Sequence, residues 1–201
     1  MHSDFELDAL KEISNIGAGH AATALSLMLS RKIGINVPQV RMIPFDEVAD
    51  ILGGSEVLAV GILMRISGQI DGTILLLMSQ EVAKTLTNFV LGKDTSTTDF
   101  SDMEKSALTE IGNILASSYV AALADFTKLN MKISIPAFAH DMAGAILSVP
   151  LSLYGFMGDT AFLMDTKFIE GLDGLEFNFI LIPDDESTHI LLKAIGVDLF
   201  E

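Results

Sequence analysis

The sequence predicts an α+β fold, a two-layer α/β arrangement. In it, two copies of an α-β-β-β-α unit share one central β-sheet, with two long helices packed on that sheet. Three observations carry that expectation. Apolar residues recur at helical spacing over 5–31 and again ninety-eight residues later. The segments between are short, rich in β-branched residues and punctuated by Gly, Pro, Ser and Asp. One pattern also occurs twice with the same internal spacing: Asp8-x3-Glu12-x2-Asn15-x22-Pro38 and Ser106-x3-Glu110-x2-Asn113-x22-Pro136.

In the first copy, residues 5–31 read as a helix. Leu10, Ile13, Gly17, Ala21, Ala24 and Met28 form its core stripe. At 100° per residue, Asp8, Glu12, Asn15 and Gly19 fall on the opposite, wet face. A strand over 33–37 leads to Pro38, read as a structural residue that ends the turn into the sheet. Strands at 57–66 and 69–78 follow, joined across Ser67-Gly68, with Asp71-Gly72 inside the second run. A closing helix at 80–91 stops at Gly92.

The second copy repeats this order. Ser101 is a plausible cap for an acid-rich helix start at Asp102 and Glu104. Leu108, Ile111, Leu115, Tyr119, Ala122 and Phe126 form the core stripe, and Ser106, Glu110, Asn113 and Ser117 the wet one. Arg31-Lys32 and Lys128 place basic charge at the two helix C-termini, where the dipole favours it. A strand at 132–135 precedes Pro136, also read as structural, and runs at 143–150, 153–165 and 176–182 read as strands. A helix at 184–195 closes at Gly196. The offset between copies has by then grown from 98 to 104, which predicts six extra residues in the second copy, around 166–174. Half-repeats of about 5–92 and 101–196, linked by 93–100, are too small and too apolar to stand apart. A single domain over 1–201 is expected.

Composition excludes several classes. Half the residues are hydrophobic and mean hydropathy is +0.48. The longest uncharged runs, 13–30 and 142–158, are interrupted by Asn15, Gly, Ser and Thr23, or by Pro150 and Gly155, so neither reads as a lipid-facing span. Residues 1–8 carry three acids where a leader peptide would be basic. A cytoplasmic protein without a membrane partner is expected. With no Cys, disulfides, thiolate metal sites and a Cys nucleophile are ruled out. A net charge of −15 repels phosphate backbones and no basic stripe offsets it, so nucleic acid is not an expected partner.

Among local motifs, Gly17-Ala18-Gly19-His20-Ala21-Ala22 fits the G-x-G-x-x-A dinucleotide pattern, but it sits mid-helix and lacks the strand before it and the acid after it. The small residues read better as steric: Gly17 for tight packing, Gly19 for approach of a partner. His2, His20, His140 and His189 form no i,i+4 pair, so no metal site is expected, and His140-Asp141 reads as loop polarity. There is no G-x-S-x-G. The Glu/Asn stripe remains. An exposed acid and amide on one helix are ordinary wet surface, and Asp8 and Ser106 read as caps or helix-face hydrogen bonders. A mid-helix Asn is a poor helix former, however, and its presence in both copies points to a task for the carboxamide.

At these residues the chain resembles the CheC/CheX/FliY family of chemotaxis phosphatases. That family's pattern is Asp or Ser, three residues, Glu, two residues, Asn, twenty-two residues and Pro; both copies here fit it without departure. Two motifs, and neither of the flanking segments of the FliY type, place the resemblance with the CheC type. It implies that the substrate is a phosphorylated CheY-type response regulator, with Asn15 and Asn113 orienting water for in-line attack on its aspartyl phosphate. Glu12 and Glu110 would pair with the regulator's active-site Lys. No cofactor of the chain's own is implied; Mg²⁺ would sit on the regulator. A monomer is expected. A second implied partner is the receptor deamidase CheD, with 117–128 as its docking stretch, and this leaves open a non-catalytic adaptor that binds CheD and CheY. A water-positioning carboxamide suits phosphoryl transfer, which needs positioning and charge stabilisation more than covalent chemistry. The sequence does not rank the two sites.

Overall fold

Short apolar segments bounded by turns form strands, the central ones buried on both faces, and the long periodic segments form helices. The computed structural model describes residues 4–92, 99–154, 160–172 and 174–196. The first half comprises α1 (Asp4–Leu29), β1 (Gly34–Pro44), a 3₁₀ helix (Phe45–Leu52), β2 (Leu58–Gly68), β3 (Gly72–Ser79) and α2 (Gln80–Leu91). The second comprises α3 (Asp102–Thr127), β4 (Met131–Ile133), β5 (Ala137–Met142), α4 (Ala143–Tyr154), β6 (Thr160–Glu170), β7 (Glu176–Pro183) and α5 (Asp185–Ala194).

The helices begin and end on local chemistry. The Ser101 hydroxyl accepts the Glu104 N–H while the Glu104 carboxylate accepts the Ser101 N–H, a reciprocal capping box that starts α3. Ser79 and Asp184 cap α2 and α5 in the same N-terminal sense. Beyond α1 and α3, Ser30 and Lys128 both take positive φ, at 50° and 61°. These are equivalent positions in the two copies, so the duplication extends to the way each long helix stops.

All the strand pairings are antiparallel, in the order β1-β6-β7-β3-β2, with β4 and β5 both on the outer side of β2. The two halves therefore exchange their first strands. β1 lies beside β6 of the second half, and β4 and β5 lie beside β2 of the first. At the centre, Leu75 pairs with Ile180 and Leu76 with Phe179, and a pseudo-two-fold axis normal to the sheet passes between these pairs. Neither half closes its sheet alone.

α1 and α3 lie on one face and are related by that axis. Val60, Ile62, Met64 and Ile66 of β2 point into their core together with Phe162, Phe179, Leu108 and Ile111. Each such side chain contributes about 1.5–3 kcal/mol on burial. Gly17 is buried where the two helices meet: a Cβ there would lie 2.9 Å from the Tyr119 Cα. The opposite face carries a smaller apolar layer, in which Leu63, Leu75 and Ile180 lie under Val48 of the 3₁₀ helix and Ile146 and Leu147 of α4. α3 is long and apolar enough to cross a membrane by length and composition, but half of that stretch is buried inside the protein, as in a core helix.

Several expectations are corrected. Residues 143–150 are helical, not a strand, because a short apolar run has no decisive period; Ile146 and Leu147 are buried while Ser148 and Val149 are exposed. Of the run 153–165, only 160–165 is strand; 153 and 154 belong to α4, and 155–159 lie outside the described residues, as do 93–98 of the linker. The β2–β3 turn is 69–71, so Ser67-Gly68 belongs to β2. The six extra residues are also divided, with only two of them near 166–174. The segment before β6 (143–159) is four residues longer than its counterpart before β2 (45–57), and the β6–β7 connection (171–175) is two longer than 69–71. Met28 and Phe126, equivalent positions, are exposed because the buried stripe runs through Ala18, Ala22, Leu25 and the partly buried Leu29 in α1 and through Ala116, Val120 and Leu123 in α3, to one side of them.

Candidate functional site

Asp8 and Glu12 on α1, and Ser106 and Glu110 on α3, are exposed, and their side chains bond to no described residue. Ser106 and Asp8 therefore cap nothing here; they lie one helical turn before the Glu of each motif. The start of α3 is held firmly: the buried Glu104 carboxylate accepts hydrogen bonds from Ser101 N–H at 2.8 Å and from Lys84 Nζ at 2.8 Å. Lys84 also lies over the Phe100 ring. This clamp fixes the helix nearly two turns ahead of Glu110.

The two Asn residues, both half-buried, are in different states. Asn15 Oδ1 accepts the Val37 N–H at 2.9 Å, and Nδ2 donates to the Val37 carbonyl at 3.1 Å and to the Lys11 carbonyl at 3.0 Å. Both N–H groups of the carboxamide and one acceptor position are thus occupied. Among the described residues, the Asn113 carboxamide has no hydrogen-bond partner.

The repeated Pro accounts for the contact. In the β1–β6 ladder Asn36 pairs with Lys167 and Gln39 with Asp165, leaving Val37-Pro38 as a bulge with one residue more than its partner strand. Pro38 has no N–H to lose there, and Asn15 takes up the Val37 backbone beside it. Pro38 therefore lies within β1 and does not end a turn. The second copy has the same count. The Ser134 N–H bonds to the Arg65 carbonyl at 2.9 Å and Ala137 pairs with Leu63, so Ile135-Pro136 is the matching bulge, and it separates β4 from β5. The outcome differs, because Val37 is 0 % exposed and Ile135 88 %. The spacing of Asn and Pro, read as a chemical motif, thus has a structural component, which the β-branched residue shared at 37 and 135 could have signalled.

The remaining candidates disperse. A Cβ at Gly19 would meet nothing within 4 Å, so the wet face of α1 is open beside Asn15. His140 Nε2 lies 2.8 Å from Gln80 Oε1 and its ring packs edge-on to Phe100, while Asp141 accepts the Met142 N–H; the two do not form a dyad. One open cleft, about 820 Å³, is lined by Pro38, Arg41, Asp165, Lys167 and Glu176 among others. It involves neither Glu nor Asn of the motifs.

Comparison with known proteins adds the following. Residues 5–42 match the CheC-like family and residues 60–157 match the family described as chemotaxis phosphatase CheX. The chain is 36 % identical over 199 residues to the CheY-P phosphatase CheC of Bacillus subtilis (strain 168), covering 96 % of this chain and 95 % of that one. Among solved structures, FliY of Thermotoga maritima superposes with a TM-score of 0.73 at 20 % identity, covering 97 % of this chain and 98 % of that one. The CheX–CheY–BeF3–Mg²⁺ complex of Borrelia burgdorferi matches with a TM-score of 0.51 at 20 % identity, over 84 % of this chain and 96 % of that one.

Proposed function

Because the chain belongs to the CheC-like family of chemotaxis phosphatases, we propose that it accelerates hydrolysis of the aspartyl phosphate of a CheY-type response regulator. The observation that carries this reading is the exposed Glu110 beside the half-buried Asn113 on a firmly held helix, with the Asn113 carboxamide unengaged among the described residues. In this reaction water attacks phosphorus, the P–O bond to the regulator's Asp breaks, and inorganic phosphate and a free carboxylate leave. A neutral carboxamide can hold that water against a phosphoryl group without repelling it. A carboxylate in the same place would be repelled, so Glu110 serves as the docking partner of a regulator Lys. The regulator brings its own Mg²⁺, in keeping with the composition of the CheX–CheY complex.

Asn15 can do the same only after giving up its Val37 bonds, each worth about 0.5–1.5 kcal/mol. The second copy is thus the poised site, with Glu12 and Asn15 as a reserve or docking site. The test is decay of the phosphorylated regulator with Asn15→Ala, Asn113→Ala and the double variant, each checked for fold by circular dichroism. Asn113→Ala should remove most of the acceleration, about tenfold or more, and the double variant all of it. A folded double variant as active as wild type would overturn the mechanism.

A second reading, a non-catalytic adaptor for CheD and CheY, draws support from the C-terminal part of α3, where Ala121, Asp125 and Phe126 are exposed. An adaptor would bind the phosphorylated regulator without speeding its decay.

A further inference from the structure

The two copies share a bulge of the same length and a Pro at the same place, yet only one Asn is tied down. The sequence difference beside the bulge lies two residues before the Pro, Asn36 in the first copy and Ser134 in the second. Resting on the catalytic reading of Asn113 above, we propose that Ser134 is a positioning residue that keeps Asn113 free by holding the Ile135 carbonyl. The Ser134 hydroxyl donates to the Ile135 carbonyl at 2.9 Å and accepts the Arg65 N–H at 3.0 Å, while its own N–H donates to the Arg65 carbonyl at 2.9 Å. The bulge is thereby pinned to β2. Its carbonyl, equivalent to the one that Asn15 holds at Val37, is already engaged, and Ile135 is turned outward.

In the first copy no side chain competes. Asn36 makes no side-chain hydrogen bond to a described residue, so both backbone groups of Val37 fall to Asn15. The hydroxyl at 134 thus decides whether the amide of its copy is latched or armed. Ser134 touches neither regulator nor water in this scheme; it acts through Ile135 on Asn113.

Two measurements test this on the full chain. NMR of the side-chain amides reads the latch without any substrate: in wild type the Asn15 Nδ2 protons should exchange slowly with solvent and the Asn113 Nδ2 protons quickly. In Ser134→Ala the Asn113 amide should become protected and kcat for the phosphorylated regulator should fall about tenfold, the effect of one hydrogen bond's worth of barrier. Ser134→Thr, which keeps the hydroxyl, should restore both. Conversely, Asn36→Ser introduced with Asn113→Ala should free Asn15 and recover activity at the first copy. An Asn113 amide that stays unprotected in folded Ser134→Ala overturns the proposal, as does Ser134→Thr behaving like Ser134→Ala. Protection gained with turnover unchanged upholds the latch and overturns instead the catalytic reading of Asn113.

Discussion

Asn15 holds both backbone groups of Val37 across 22 residues, its Oδ1 on the N–H at 2.9 Å and its Nδ2 on the carbonyl at 3.1 Å. This staples the edge strand β1 to α1 at a bulge where the ladder provides no partner. The same residue type at 113 staples nothing.

The staple has a stability signature. Asn15→Ala leaves the buried Val37 N–H without a partner and should destabilise the fold by about 1–3 kcal/mol. Asn113→Ala removes no hydrogen bond to a described residue from a mid-helix position and should lie within about 0.5 kcal/mol of wild type, on the stabilising side because Ala is the better helix former. Urea denaturation of the two variants reads the difference; equal losses would mean that Asn113 has a structural partner after all.

Charge reversal separates docking from folding. Glu12 and Glu110 are exposed and unpaired, so Glu12→Lys and Glu110→Lys should leave the unfolding midpoint almost unchanged. Glu110→Lys should weaken binding of the phosphorylated regulator by about tenfold or more, because a like charge would face the regulator's Lys. Raising the salt concentration should narrow the gap between variant and wild type. Titration calorimetry at two ionic strengths checks this, and an unaltered affinity at both would remove the docking role.

The glycine pair on α1 gives opposite signs on opposite faces of one turn. A Cβ at Gly17 would meet the Tyr119 Cα at 2.9 Å and the Ser118 carbonyl oxygen at 3.3 Å, both backbone atoms that move only with α3. Such overpacking costs about 1–3 kcal/mol, which outweighs the gain of about 1 kcal/mol from Ala in a helix. Gly17→Ala should therefore lower Tm. Gly19→Ala meets nothing and should raise it. If a regulator backbone approaches at Gly19, that stabilised variant should bind regulator more weakly, a split that thermal melts and binding assays together would resolve.

How much of this was legible in the sequence depends on the length scale of the signal. The duplicated helices, the capping role of Ser101 and the exposure of Glu12 and Glu110 follow from local spacing, and each is found, whereas Asn15 and Asn113, expected on the same wet face, are half-buried. α4 was misread because 143–150 is apolar on nearly every side. Its Ile146 and Leu147 are buried by a sheet face formed by strands from both halves, which no local pattern reports. The strand exchange itself was invisible for the same reason. The latch on Asn15 was hidden differently. Its partner is a backbone, whose availability depends on a bulge and on whether residue 36 or 134 carries a hydroxyl.

Tyr119 provides the pH-dependent test. Its ring is stacked on Phe179 at 4.3 Å, and burial pushes its phenol well above the usual range, the neighbouring Thr166 hydroxyl offsetting little. Among the described residues no well-formed hydrogen bond reaches the phenol oxygen, and the Thr166 hydroxyl donates to the Met164 carbonyl at 3.1 Å. The unfolded chain ionises Tyr near pH 10 while the native state still holds the proton. Above that pH the unfolded state binds fewer protons than the native one, so stability falls as pH rises. The fall is about 1.4 kcal/mol per pH unit once well past the unfolded value. Tyr119→Phe keeps the ring and removes the titration. It should match or slightly exceed wild type at pH 8, where the unpaired hydroxyl contributes no bond, and its advantage should grow by about 1 kcal/mol between pH 10 and 11. Guanidinium melts of both proteins across that interval decide it: a constant difference would mean that the phenol ionises as readily in the folded protein as in the unfolded chain.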